Sequence, residues 1–84
     1  MPYKLFVGGL PWATTSDELE DLFRRYGEVE SAKIIADRRT GRSKGYGFVE
    51  LAEAEAARAA LDELNNSEFG GRSITVDPAK DTEL

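Results

Sequence analysis

Residues 44–51 read Lys44-Gly45-Tyr46-Gly47-Phe48-Val49-Glu50-Leu51. Side chains of a strand point alternately to its two faces, so this run divides into two sets. Gly45, Gly47, Val49 and Leu51 form one face; Lys44, Tyr46, Phe48 and Glu50 form the other. The first set is small or apolar and suits a core. The second places two aromatic rings among charges, which is neither a core face nor an ordinary solvent face. What covers each face of this strand decides the fold.

Reading outward, Asp37-Arg38-Arg39-Thr40-Gly41-Arg42-Ser43 is a polar, basic turn. Before it, Val29 to Ala36 alternates as a second strand, with Ala32, Ile34 and Ala36 on one side and Ser31, Lys33 and Ile35 on the other. After the central run, Ala52 to Leu64 is Ala-rich and predicts a helix with a stripe at Ala57, Ala60, Leu61 and Leu64. Its start is weak, because Ala52 has no side chain to accept a first-turn hydrogen bond. Further upstream, Thr15 with Glu18 makes a capping box. A helical stripe of Leu19, Leu22, Phe23 and Tyr26 follows, with Gly27 expected in the left-handed conformation that ends a helix.

Tyr3 to Gly9 reads as the first strand, Leu5 and Val7 inward and Lys4 and Phe6 outward. Trp12, in the loop after it, is expected to cover an edge of the core. Phe69-Gly70-Gly71 predicts a turn. Ser73 to Asp77 predicts a last strand with Ile74 and Val76 inward, and Pro78 is expected to stop its pairing.

The order strand-helix-strand-strand-helix-strand predicts an α+β fold. It is the ferredoxin-like split βαβ sandwich, a four-stranded antiparallel sheet with two helices on one face. The other face then meets solvent, and on it lie Phe6, Ile35, Tyr46 and Phe48. Had a further layer covered that face, these would be ordinary core residues, but only two helices are available. An uncovered aromatic patch marks a binding surface. Nucleobases suit it, since each stacks on an aromatic ring for roughly 1–3 kcal/mol.

With 84 residues the chain is one domain, 1–84, with an ordered core expected over about 3–79. It has no Cys and no His. That removes disulfides, the usual zinc sites and Cys-His or Ser-His nucleophile systems, so no enzyme activity, metal or cofactor is expected. No Gly-Lys-Ser/Thr follows Gly8-Gly9, so no phosphate loop is read there. The net charge is -5, which by itself disfavours nucleic acid. Its distribution differs: between Lys33 and Gly47 five basic residues and one acid give +4, leaving -9 on the rest of the chain. Asp17, Glu18, Glu20, Asp21, Glu53, Glu55, Asp62 and Glu63 place much of that acidity on the helices.

The octamer Lys44 to Leu51 resembles the ribonucleoprotein octamer of the RNA recognition motif, and Leu5-Phe6-Val7-Gly8-Gly9-Leu10 resembles that family's second signature. Order and spacing fit over nearly the whole chain, which is similar to the single-domain members of small bacterial or glycine-rich type. The resemblance implies single-stranded RNA as partner. Phe6 and one of Tyr46 and Phe48 would stack on bases, the other ring lying against sugars. Lys44 would pair with a phosphate, and Thr75 and Asp77 would read base edges. Lys4, Lys33 and Ile35 share the face, and Arg38, Arg39 and Arg42 would close over the strand as a basic flap, or remain a solvated turn. Glu50 would repel phosphate or accept from a base amino group. Leu51 departs from the aromatic residue usual there and is expected in the core. Single-stranded DNA, or a protein bound by the sheet or helix face, are the alternatives. A monomer away from membranes is expected, in a bacterial cytoplasm or a eukaryotic nucleus or cytoplasm, and not secreted.

Overall fold

The computed structural model describes residues 3–37, 39–41 and 43–79, the side chains of Ser43 and Lys44 excepted. In chain order the elements are β1 (Tyr3–Gly8), α1 (Ser16–Arg24), β2 (Val29–Ala36), β3 (Ser43–Leu51), α2 (Ala54–Leu64), β4 (Glu68–Phe69), β5 (Arg72–Ser73) and β6 (Thr75–Pro78). Four of the strands form one antiparallel sheet in the order β2-β3-β1-β6. The two signature strands are therefore central and adjacent. Both helices pack on one face, α1 against β2 and α2 against β1 and β6.

Between sheet and helices lies the core. Leu5 and Val7 of β1, Val49 and Leu51 of β3, and Val76 of β6 meet Leu19 and Phe23 of α1 and Ala57, Ala60 and Leu64 of α2. These are the inward residues of each period-2 run and the stripe residues of each helix, so burial follows the sequence pattern. Leu51 is fully buried, as its place in the alternation required.

The helix starts contrast. Thr15 Oγ1 accepts from the Glu18 N–H at 3.1 Å, and the Thr15 N–H donates to Glu18 Oε1 at 3.3 Å, closing the capping box. α2 starts at Ala54, two residues later than expected, with Glu53 as a cap that makes no side-chain hydrogen bond. Ala52 is instead held outside the helix, its N–H donating to the Glu28 carbonyl at 3.1 Å.

Gly27 does not have the expected left-handed backbone; α1 ends at Arg24 with Arg25 still right-handed. Gly27 has a packing reason instead, since a Cβ there would stand 2.6 Å from the Ala56 Cβ. Nor does Pro78 end the pairing. It lies opposite Leu5, and the next residue donates, Ala79 N–H to the Lys4 carbonyl at 2.9 Å. Pro78 occupies a position whose missing N–H would point off the sheet edge, where proline is tolerated.

A small hairpin, β4 with β5, precedes β6; its turn residues Gly70 and Gly71 both have positive φ, which two-residue hairpin loops favour. The segment after α2 caps the outer edge of β6. The Val76 N–H donates to Asn65 Oδ1 at 3.1 Å, and the Ile74 N–H to the Ser67 carbonyl at 2.9 Å.

Candidate nucleic-acid interface

Strand register arranges the uncovered face in rows. One row runs Ser31, Glu50, Lys4 across β2, β3 and β1. The next runs Lys33, Phe48, Phe6, Asp77, reaching β6. A third runs Tyr46, Gly8, Thr75. The face is thus aromatic at its centre and polar or charged around it.

Phe6, Tyr46 and Phe48 are half-buried and form a triangle. Ring centroids are 5.6 Å apart for Phe6 and Tyr46, 5.8 Å for Phe6 and Phe48, and 6.5 Å for Tyr46 and Phe48. Tilted and edge-on contacts at these distances hold each ring in place and are favourable between quadrupoles. The spacing exceeds the roughly 3.4 Å rise of stacked bases along a strand. Ligand rings seated on two of these side chains would therefore be splayed from each other, as an unpaired strand permits and a duplex does not.

Glycines shape the platform. A Cβ on Gly8 would meet both the Phe6 ring and Thr75 Oγ1 at 3.0 Å, so the ring leans over bare backbone. Gly47, on the buried side, presses against β2, where a Cβ would fall closer than 3.0 Å to the Lys33 carbonyl. Gly45 has φ +84° and sits by the Leu10 carbonyl, while the Leu10 N–H donates to the Gly45 carbonyl at 2.8 Å. The alternation alone suggests that both glycines thin the strand for a helix beneath. They serve instead to bring β3 against β2 and against the loop after β1.

Lys4 Nζ lies 4.7 Å from the Phe48 ring centre, a cation–π distance. Beside it a depression of about 210 Å³ is lined by Lys4, Ser31, Lys33, Ile35, Phe48 and Glu50. Five of these six come from the residues singled out in the sequence. Ser31 was on the right alternation but carried no signal of its own.

Thr75 and Asp77 are exposed on the same face. Arg39 is exposed in the turn, its N–H held by Asp37 Oδ1 at 2.7 Å, and Gly41 N–H donates to the Asp37 carbonyl at 2.8 Å. Asp37, an acid in the basic segment, thus organises the turn. Arg38 and Arg42 lie outside the described residues, as does the side chain of Lys44. Trp12 does not cover a core edge: it is 72% exposed.

Fold and face together define a small sheet-platform binding domain, and comparison with known proteins makes the family specific. The RNA recognition motif matches residues 5–75, and the chain belongs to that family. It is 51% identical over 78 residues to Small RNA binding protein 1 of Cucumis sativus, covering 93% of this chain and 49% of that protein. It is 49% identical over 81 residues to the mitochondrial Glycine-rich RNA-binding protein 2 of Arabidopsis thaliana, covering 96% and 51%. The chain thus spans about half the length of these curated relatives. Among solved structures, RNA Binding Protein PG1 is similar with a TM-score of 0.91 and 40% identity, covering 98% of this chain and 99% of that one. The Rna15 domain with bound RNA (GU) is similar with a TM-score of 0.84 and 30% identity, covering 96% and 86%. Among the described residues no helix is long and apolar enough to cross a membrane.

Proposed function

We propose that this domain binds single-stranded RNA on the uncovered face of its sheet. The observation that carries the reading is the aromatic triangle, three rings 5.6–6.5 Å apart on the sheet face opposite the two described helices. Relatives named as RNA-binding proteins and a similar domain solved with RNA support it. Phe6 and Phe48 or Tyr46 take bases, and the remaining ring lies against sugars. Lys4, Lys33 and Lys44 meet phosphates, with Ile35 as apolar flank. Arg38, Arg39 and Arg42 close over the bound strand. Thr75 and Asp77 offer polar groups to base edges beside Phe6.

The test is fluorescence anisotropy of a short labelled random-sequence RNA at low salt. A saturable rise is expected, in the micromolar range for a single domain. Each base stacked on a ring contributes roughly 1–3 kcal/mol, so the double change Tyr46→Ala and Phe48→Ala weakens binding by tenfold or more. Retained binding in that variant overturns the stacking reading. The same oligomer as DNA separates contacts to the 2′-hydroxyl from stacking alone. No binding at hundreds of micromolar protein would turn the patch into a protein-binding surface.

A further inference from the structure

Resting on the RNA-binding reading, we propose that the depression beside Phe48 is a guanine site, in which the Glu50 carboxylate accepts from the base's Watson–Crick edge. Glu50 is the puzzle of this face. A carboxylate amid a phosphate-binding surface repels the ligand unless the ligand donates to it. Glu50 is half-buried and shares the depression with Phe48, Lys4 and Lys33. Among the described residues no hydrogen bond or ion pair engages its oxygens. Its acceptor capacity faces the space that a base on Phe48 would fill.

Glu50 and Phe48 are two residues apart on β3, so both face the same side about 7 Å from each other along the strand. A base stacked on Phe48 with its pairing edge along β3 meets the carboxylate. Lys4 Nζ lies over that ring, so the base takes its place and the flexible lysine stem lets the ammonium move aside. The chemistry of the base edges then discriminates. An ionised carboxylate is acceptor-only and engages two adjacent donors at once. Guanine presents such a pair, N1–H beside the N2 amino group. Adenine and cytosine present an amino group beside a ring nitrogen acceptor, and uracil presents N3–H between two carbonyls. Each of these aims a lone pair at a carboxylate oxygen. Guanine also carries O6 next to its donors, and Lys4 and Lys33 flank the site with ammonium donors.

The experiment uses the whole chain and labelled five-nucleotide RNAs at fixed low salt, UUGUU against UUAUU, UUCUU, UUUUU and UUIUU. Inosine keeps N1–H and O6 and lacks only the N2 amino group. A bidentate side-chain contact discriminates by about fivefold to a hundredfold. We expect UUGUU to bind about tenfold tighter than the A, C and U oligomers, with UUIUU in between. In E50Q the guanine advantage falls within twofold, while the guanine-free oligomers bind as well as before or better. Equal affinity for guanine and the other bases, or for guanine and inosine, overturns the proposal and leaves RNA binding standing. So does an E50Q protein that tightens on every oligomer by one factor, since Glu50 then acts only through its charge. No binding to any of the five removes the RNA-binding reading itself.

Discussion

Glycine at position 47 is dictated by its neighbour across the ladder. A Cβ there would fall closer than 3.0 Å to the Lys33 carbonyl and 3.2 Å from the Ile34 Cα, both backbone atoms that shift only if β2 moves. Overpacking of this kind costs typically 1–3 kcal/mol, so Gly47→Ala is expected to destabilise by about that amount. Gly41 offers the contrast, with φ +73° and nothing within 4 Å of the place a methyl group would take. Gly41→Ala meets only the left-handed backbone penalty, about 1 kcal/mol. Urea denaturation of the two variants ranks them; a Gly47→Ala midpoint equal to the parent's would show that β2 yields freely. Trp12 illustrates what single residues do not disclose. Its size and its place after the first strand suggest a cover for the core, yet it is exposed, while Leu10 two residues before it is buried. Trp12→Ala should then change stability by no more than about 0.5 kcal/mol.

At the scale of elements, the two helices differ in how they begin, and the difference is measurable. Thr15→Ala deletes the acceptor for the Glu18 N–H and should cost about 0.5–2 kcal/mol. Glu53 is a cap without a side-chain bond, so Glu53→Ser should raise stability by roughly 0.5–1 kcal/mol. Thermal unfolding reads both, and a neutral Glu53→Ser would mean that the first turn of α2 is satisfied by other means. These starts show why the sequence was legible to different depths. Thr15 with Glu18 is a local code, read from four residues, and it fixes where α1 starts. α2 lacked such a code, so helix propensity alone extended it back to Ala52, whose N–H goes instead to Glu28 across the fold. Pro78 and Gly27 depart from the local expectation for the same physical reason. A proline's tolerance depends on which side of the edge strand its nitrogen faces, and Gly27 answers to Ala56 on another element; both facts are tertiary. The candidate face is legible because alternation is local: the period-2 runs of β1, β2 and β3 give Lys4, Lys33, Ile35, Phe48 and Glu50 without knowledge of register. Register adds that Lys4 and Glu50 stand in the row beside Phe48 and Lys33, which is what turns separate positions into a depression.

The whole molecule separates its charges by layer. The acids of α1 and α2 are on the far side of the sheet from the aromatic triangle, roughly 10 Å or more through the core layer. At physiological salt the Debye length is about 8 Å, so those charges are largely screened at the sheet face, while at 10 mM it is about 30 Å and they are not. This reconciles a net charge of -5 with the proposed RNA-binding face. It also makes two measurable statements. Neutralising Glu55 and Glu63 on α2 together, by Glu→Gln changes, should alter RNA affinity by less than about twofold at 0.15 M salt and by clearly more at 0.01 M. Equal effects at both would mean that the helix acids touch the RNA rather than act through the field. Binding itself should show a shallow salt dependence, because few cations adjoin the rings. Two to four phosphates neutralised give a slope of log Kobs on log salt of about -1.4 to -2.8 for single strands. A slope beyond about -5 would require more phosphate contacts than the sheet face and its basic turn together provide, and would place the RNA across a second surface of the molecule.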